Sequence, residues 1–280
     1  MKLASYISSG RPGFGVVIGD GLIECSVRGV GHSLKQALAA DALDQVRAIA
    51  DRAAPDVSIN DVTLLPPVVK PGKVFCIGVN YRKHVLEMGR DLPEHPWVFT
   101  RSADSFVGHG GDMLCPAVSE QFDFEGELAL VIGKTAHRVN AAAALDYVAG
   151  YCCLNDGSIR DYQRHSGQFT AGKNFWRSGA IGPWLVSADE VGDPAALQLE
   201  TRLNGEVMQS APTSDLIFDV PTLIEYCSTF ARLEPGDIIA TGTPGGVGAA
   251  RQPPVWLRGG DTIEISISGI GTLTNSVVDE

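Results

Sequence analysis

The segment FDFEGELALVI, residues 122–132, places three carboxylates at alternate positions in front of an apolar run. Its Leu, Val and Ile content predicts a strand, and on a continuous strand Asp123, Glu125 and Glu127 would share one face. Two interpretations are open. One is a solvated strand edge whose charges discourage aggregation. The other is a site for a hard divalent cation, because Mg²⁺, Mn²⁺ and Ca²⁺ prefer oxygen ligands, with a third acid supplied from elsewhere in the chain.

Three other segments place polar residues beside apolar strands. Asp156 follows the predicted buried strand YCCL and is the natural third carboxylate, or else the N-cap of a short helix. His84 and Glu87 are three residues apart on a predicted helix, where they form either a general base with its orienting carboxylate or an exposed surface pair. Lys173, in the Gly-rich stretch FTAGKNFW, would bind an anion or stabilise an enolate; its default interpretation is a surface lysine.

Composition excludes several classes of partner. The chain has 280 residues and a net charge of −11, which disfavours nucleic acid and anionic membranes. It contains no apolar run near the ~20 residues of a membrane span, and the N-terminus lacks the apolar core of a signal peptide. The six cysteines lie in apolar contexts without a CxxC pair. They are therefore predicted to be reduced core residues of a cytoplasmic protein.

The order of predicted elements indicates two units, a small N-terminal domain over residues 1–68 and a larger domain over 69–280. In the first, GFGVVIGDGLIECS predicts a hairpin, and one or two helices follow with Ser33 as N-cap. In the second, TRLNGEVMQSA predicts a hairpin, and VPTLIEYCSTFARL predicts a helix with Pro221 in its first turn. Short strands and Gly/Pro turns predominate, so the class is a β-rich α+β fold. No P-loop or dinucleotide-binding motif is present.

Seven motifs, taken together and in order, resemble those of the fumarylacetoacetate hydrolase family over about residues 65–280: VNYRKHVLEMG, DFEGELALVIGK, NDGSIRDYQ, GKNFWRSGAIGPWLV, TRLNGEVMQ, TSDLIFDVPTLI and PGDIIATGTPGGVG. The resemblance implies a mixed β-sandwich/β-roll catalytic domain preceded by a small N-terminal α/β domain. The third family motif usually has the sequence Asn-Asp-Val-Ser-Ala-Arg-Asp. Here Gly157 and Ile159 replace its two apolar residues.

The resemblance also implies roles for individual residues. The metal ligands, for Mg²⁺ or Mn²⁺ and sometimes Ca²⁺, are Glu125, Glu127 and Asp156. The catalytic residues are His84 and Glu87, which activate water, and Lys173, which faces the substrate oxygens. The substrate contacts are Arg101, Gln163 and Thr243. Asp123 is expected beside the metal ligands and not on the metal.

The activity that this resemblance predicts is metal-dependent hydrolysis of a carbon–carbon bond in a 1,3-diketo acid. The substrate would be an acylpyruvate or a fumarylpyruvate- or fumarylacetoacetate-like acid from aromatic or sugar-acid catabolism. The alternatives are decarboxylation of oxaloacetate, isomerisation or hydration of an unsaturated keto acid, and a metal-stabilised scaffold without activity. The only expected partners are the small keto acid and a second copy of the chain in a homodimer.

Overall fold

A computed structural model of the chain describes residues 1–87 and 91–280. Within these ranges most strands pair in one large mixed sheet, with the order β4-β3-β2-β1-β14-β12-β11-β17-β6-β7, while β5 pairs with β1 and β8 with β14. Its strands are β1 (Lys2–Ser8), β2 (Arg11–Ile18), β3 (Gly21–Glu24), β4 (Val57–Ser58), β5 (Thr63–Leu65), β6 (Val74–Gly78), β7 (Trp97–Thr100), β8 (Phe106–Val107), β11 (Gly126–Ile132), β12 (Val148–Asn155), β14 (Gly179–Ser187) and β17 (Ile238–Ala240).

A second sheet has the order β16-β15-β18-β19-β9, and β10 and β13 form a separate two-stranded pair. These strands are β9 (Met113–Cys115), β10 (Phe122–Asp123), β13 (Ser158–Ile159), β15 (Gln198–Leu203), β16 (Glu206–Pro212), β18 (Thr262–Ile267) and β19 (Gly271–Asp279). The architecture is α+β and rich in strands, which confirms the predicted fold class.

Short helices connect the strands. They are α1 (Leu34–Ala39), α2 (Leu43–Ala50), α3 (Arg82–Glu87), α4 (Arg160–Gln163), α5 (Thr170–Lys173), α6 (Ala188–Val191) and α7 (Val220–Phe230). Short 3₁₀ turns occur at Ile59–Asp61, Ala103–Ser105, Ala141–Tyr147, Pro194–Ala196, Thr213–Asp215 and Gly248–Ala250. None of the helices in the described ranges has the length and apolar content that a membrane crossing requires.

Local signals in the sequence located several of these elements. The predicted N-cap Ser33 accepts a hydrogen bond from the Gln36 amide at 3.3 Å and so caps α1. Helix α7 contains Pro221 near its start, and Asp219 caps it through the Thr222 amide. Asn204 forms the turn between β15 and β16, as the Asn-Gly pair predicts. The six cysteines are free and buried, as predicted.

The N-terminal strands join the large sheet directly. Strand β1 pairs antiparallel with β14, with Lys2 opposite Val186 and Leu3 opposite Leu185. One sheet therefore continues across residue 68, and the division into domains at 1–68 and 69–280 stays a prediction.

Strand β11 lies at the centre of the core and is buried along its whole length. One face, with Leu128 and Leu130, packs in the cluster shared with the second sheet, and the other face, with Ala129 and Val131, packs in the cluster that contains α1 and α2. Burial on both faces explains why its sequence is a continuous apolar run. The acidic residues at its start are thereby carried into the interior.

The second half of FDFEGELALVI forms a strand as predicted, β11, but this strand does not extend back to Phe122. Strand β10 ends at Asp123 and β11 begins at Gly126. Between them the amides of Glu125 and Gly126 donate to side-chain oxygens, Asn155 Oδ1 at 3.0 Å and Gln209 Oε1 at 2.9 Å. The chain leaves strand geometry because distant side chains satisfy these donors. Asp123 therefore does not continue the face of Glu125 and Glu127.

We expect Asn80→Ala to destabilise the fold by about 2–4 kcal/mol, because it leaves buried backbone groups without partners. The fully buried Asn80 amide donates to the carbonyls of Phe218 and Thr241 and accepts from the Phe218 amide. Urea unfolding measures the change. The control is Asn60→Ala at an exposed position, expected to stay within about 0.5 kcal/mol of the parent. Equal effects of the two substitutions would contradict the assigned role of Asn80.

Candidate metal centre and its cleft

Three carboxylates converge in the interior. Oxygen atoms of Glu125, Glu127 and Asp156 lie within 4.8 Å of one another, and the three side chains are buried. All three line a cleft of about 760 Å³. The solvated strand edge is therefore the wrong interpretation of Glu125 and Glu127, because both side chains are buried and β11 is paired on both sides, with β12 and β17.

Strand pairing places these acids together. Glu127 lies on β11 and Asp156 directly follows β12, and β11 pairs antiparallel with β12 so that Gly126 is opposite Asn155. Just beyond that pair the Asp156 amide donates to the Glu125 carbonyl at 2.8 Å. The two strand ends are thus fixed to each other at the point where the acids emerge. Asp156 serves as no N-cap, since α4 begins four residues later and has no side-chain cap.

Two of the three carboxylates are held by buried cations. The Lys173 ammonium lies 2.6 Å from Glu125 Oε2 and 2.6 Å from Asp156 Oδ2. Arg160 Nη2 lies 2.6 Å from the other Glu125 oxygen, and Arg101 Nη1 lies 2.6 Å from Asp156 Oδ1. Lys173 is 1% exposed, so it is not the surface lysine that its type predicts by default.

Glu127 differs from its two neighbours. Its Oε2 accepts the Gly242 amide at 2.9 Å, and among the described residues no cationic side chain forms an ion pair with it. Burial raises the pKa of Glu127 well above its ordinary value of 4.5, and Asp156 and Glu125 raise it further. Burial alone would also raise the pKa of Glu125, but Lys173 and Arg160 outweigh burial and lower it.

The donor set fits a divalent cation. Hard oxygen ligands converge from three carboxylates, and one of them has no cation of its own. A cation at this point would offset the burial and the repulsion by Asp156 and Glu125 that together raise the pKa of Glu127. The residues that would hold it are the three that the sequence predicts, Glu125, Glu127 and Asp156.

Lys173 depends on a close contact between two helices. A Cβ atom added to Gly172 in α5 would lie 2.4 Å from the backbone nitrogen of Gln163 in α4. Only glycine allows α5 to approach α4 this closely. Burial would lower the pKa of the Lys173 ammonium, but Asp156 and Glu125 outweigh burial and raise it. Lys173 therefore carries its proton as a fixed positive charge.

The three predicted substrate contacts lie in different places. Gln163 and Thr243 line the cleft. Arg101 is 4% exposed and lies behind Asp156, where it also donates to Ser178 Oγ at 2.8 Å and to the Gly157 carbonyl at 3.1 Å. In the described structure the contacts of Arg101 are therefore to the chain itself, and its role toward a substrate stays a prediction.

The same contacts explain the unusual glycine in NDGSIRD. A Cβ atom at Gly157 would lie 1.9 Å from the Ser178 carbonyl oxygen. An apolar side chain here would push Ser178 away from the Arg101 guanidinium. Glycine at this position thus belongs to the support of Asp156 and not to the wall of the cleft.

Sequence reasoning gave no role to Arg160, which the structure places at the centre of the site. Its Nε donates to Asp123 Oδ2 at 2.8 Å and its Nη1 donates to Gln163 Oε1 at 2.9 Å. Asp123 also accepts the amides of Gly248 and Ala249, at 2.7 and 3.0 Å. Asp123 therefore connects Arg160, which holds Glu125, to the loop of Gly248 and Ala249 in the wall of the cleft. The sequence places Asp123 and Arg160 in two separate acidic motifs, but nothing in their spacing indicates that the two side chains pair.

The predicted pair His84 and Glu87 lies outside the described side chains. Helix α3 (Arg82–Glu87) starts three residues after Val79, which lines the cleft together with Gly78. The roles of His84 and Glu87 stay predictions.

Residues 73–278 match the family described as fumarylacetoacetate (FAA) hydrolase, C-terminal. The chain belongs to the fumarylacetoacetate hydrolase family. It is similar to oxaloacetate tautomerase YisK of Bacillus subtilis (strain 168), with 48% identity over 224 residues that cover 79% of this chain and 74% of the relative. It is also similar to the human mitochondrial oxaloacetate tautomerase FAHD2A, with 42% identity over 221 residues, 78% of this chain and 70% of the relative.

Among solved structures, the fold matches that of maleylpyruvate hydrolase from Sphingobium sp. SYK-6 in complex with manganese(II) ion and pyruvate. The TM-score is 0.84 at 31% identity, covering 100% of this chain and 99% of that one. These named relatives are enzymes of the family, and one of them is solved with a divalent metal.

The predicted carbon–carbon hydrolase was wrong. The curated relatives at 42% and 48% identity are oxaloacetate tautomerases, and nothing favours a hydrolase over that activity. The physical reason for the error is that both reactions pass through the enolate of a 2-oxo acid. Carboxylate ligands and a buried lysine serve either one, so these motifs do not encode whether water attacks a carbonyl.

We expect Glu127→Gln to weaken Mn²⁺ binding by about tenfold or more, since an amide is a poorer ligand for a hard cation. Isothermal titration of chelator-treated protein measures the dissociation constant. The control is Glu200→Gln, which removes a carboxylate from the solvent-accessible pair with Arg202, with an expected change below about twofold. Equal Mn²⁺ affinity of parent and Glu127→Gln would exclude Glu127 as a ligand.

The raised pKa of Glu127 predicts a pH dependence of the ion-free protein. A carboxyl whose pKa is higher in the folded state contributes stability at pH below its unfolded value of 4.5, and this contribution is lost as pH rises through the folded pKa. Ion-free Glu127→Gln has no carboxyl at this position and does not lose this stability as pH rises. The melting temperature of Glu127→Gln should therefore exceed that of the parent by an amount that grows with pH. Calorimetry in chelator from pH 5 upward tests this, and parallel curves for the two proteins would contradict it.

Proposed function

We propose that the chain is a divalent-metal-dependent oxaloacetate tautomerase. The observation that carries the proposal is the buried group of Glu125, Glu127 and Asp156 with Lys173 in one cleft, in a chain 48% identical to a tautomerase of that name. The scaffold without activity is disfavoured, because holding three buried carboxylates together is costly and the fold contributes dedicated cations to do so.

The reaction moves one proton and oxidises nothing. In the keto-to-enol direction the C3–H bond of oxaloacetate breaks, its electron pair forms the C2–C3 double bond, and the C2 oxygen gains a proton. The reverse direction restores the C–H bond at C3. The site must therefore stabilise negative charge at the C2 oxygen and allow a proton to leave or reach C3.

A divalent cation held by the three carboxylates would supply a Lewis acid beside the 2-oxo group. Mn²⁺ and Mg²⁺ are the proposed ions, Mn²⁺ with the support of the solved maleylpyruvate hydrolase. Lys173 adds a second positive charge beside Glu125 and Asp156. Because the pKa of Lys173 is raised and its ammonium already donates to Glu125 and Asp156, this residue stabilises the enolate through its positive charge and is not the base.

Polar groups on the cleft would position the 1-carboxylate and the 2-oxo group. Thr243 Oγ1 donates to the Gly126 carbonyl and accepts from Gln209 Nε2 at 2.8 Å, so its place in the cleft is fixed. Gln163 is held through its Oε1 by Arg160, which leaves its amide nitrogen as a donor toward the cleft. The Gln163 amide would align the substrate before proton transfer, while Thr243, whose one O–H is already donated to the Gly126 carbonyl, would fix the wall beside it.

His84, oriented by Glu87, is the proposed group that moves the proton at C3. The sequence supports this role, since imidazole is the side chain that most often accepts and returns a proton in general acid–base catalysis. This replaces water activation, the role predicted with the hydrolase. A homodimer acting in the cytoplasm also stays a proposal.

The test is exchange of the C3 hydrogens of oxaloacetate in D₂O, followed by ¹H NMR. Chelator-stripped protein with Mn²⁺ or Mg²⁺ restored should accelerate exchange over the same free metal without protein, because tautomerisation exposes C3 to solvent deuterium. Stripped protein should lose most of this acceleration. Glu127→Gln should lose it by about tenfold or more, while Glu200→Gln retains it.

Product analysis in the same samples separates other reactions. A tautomerase leaves the carbon skeleton intact, so pyruvate should form no faster than in the metal blank. Pyruvate formation accelerated by the protein, or no accelerated exchange with either metal, would refute the proposal.

A further inference from the structure

The charges of the site limit how much negative charge a substrate can bring. Four buried carboxylates, those of Asp123, Glu125, Glu127 and Asp156, face three cations, of which Arg101 and Lys173 are buried and Arg160 is 11% exposed. The group thus carries one net negative charge, which a bound divalent cation would convert to one net positive charge. One carboxylate of a substrate would balance that charge. A second carboxylate needs another cation, because a desolvated unpaired anion is strongly disfavoured.

Three cationic side chains line the described part of the cleft: Arg160, Arg164 and Lys173. Arg160 is committed to Asp123 and Glu125, and Lys173 to Glu125 and Asp156. Neither can turn to a substrate carboxylate without uncovering a buried acid.

Arg164 is the exception. It is an exposed residue that directly follows α4, and its Nη2 donates to the neutral side-chain oxygen of Gln121. Within the described residues it takes part in no ion pair. A guanidinium has five N–H donors, so most of them are available to a ligand in the cleft.

The position of Arg164 is fixed by the same network. Helix α4 begins with Arg160, whose side chain is bonded to Asp123 and Glu125, and the Arg164 amide donates to the Arg160 carbonyl at 3.2 Å. The guanidinium therefore projects from a backbone anchored to the metal ligands. Other parts of the wall, Phe99, Val247 and Ala249, offer no charge.

We propose that Arg164 binds the carboxylate remote from the 2-oxo acid group and so selects dicarboxylic 2-oxo acids over monocarboxylic ones. This inference rests on the proposed function and deepens it, since it assigns the residue that would recognise the 4-carboxylate of oxaloacetate. Arginine suits the role, because its planar fork matches the two oxygens of a carboxylate.

The first experiment compares two substrates that share the 2-oxo acid group. Oxaloacetate has a carboxylate at C4, and 2-oxobutanoate has a methyl group there. Arg164→Gln should raise KM for C3 exchange of oxaloacetate by about tenfold or more and change that of 2-oxobutanoate by less than about twofold. Arg164→Lys should restore part of the preference. Arg202→Gln, which removes an exposed arginine from β15, is the matched control and should leave both values near the parent.

A binding experiment separates this inference from the activity. Malate and 2-hydroxybutanoate share a 2-hydroxy acid group and do not enolise, and malate alone has the second carboxylate. Titration into Mn²⁺-loaded protein should give about tenfold weaker malate binding for Arg164→Gln and equal binding of 2-hydroxybutanoate. If the parent protein exchanges neither substrate, the proposed function fails and this titration alone decides the role of Arg164. Equal losses for both ligands, or for both substrates, would overturn the selectivity assigned to Arg164.

Discussion

The Lys173 ammonium, shared between Glu125 and Asp156, is the interaction on which the site depends. Burying carboxylates this close together is unfavourable unless each has a charge partner. Lys173 supplies one positive charge to two acids, and Arg101 and Arg160 approach the same acids from other sides. The close contact of α5 with α4, the glycine beside Asp156 and the interrupted strand before β11 all serve to bring these charges together.

The large sheet provides the rigid frame for this charge group. Strand β11 is buried on both faces. Glu125 and Glu127 lie at the start of this strand, and Asp156 directly follows its neighbour β12. A strand packed on both sides cannot rotate or slip without moving the whole core. The geometry of the carboxylates is therefore set by apolar packing, while their charge is set by the three cations. Carboxylates arranged in this way would bind a divalent cation without reorganisation of the chain.

Part of this arrangement could be predicted from the sequence, and the physical reasons for the limit are specific. Hairpins and caps such as that at Ser33 depend on local residues, so local patterns locate them. The break before Gly126 depends on Asn155 and Gln209, which are distant in sequence, so alternation of Asp123 and Glu125 gave a false strand. The family motifs identified the carboxylates that the fold brings together. They did not distinguish the reaction, because hydrolysis and tautomerisation share the same enolate.

Different residues of the cleft provide its charge and its apolar lining. Charge is provided by side chains bonded to one another in the interior, whereas small apolar residues on the Asp123-anchored loop, Val247, Ala249 and Ala250, line the cleft without charge. None of these three forms an ion pair. Substitutions at these positions can therefore widen or narrow the cleft one residue at a time while the buried charge group stays intact. Such independence gives a physical basis for a family in which tautomerases and hydrolases share one fold.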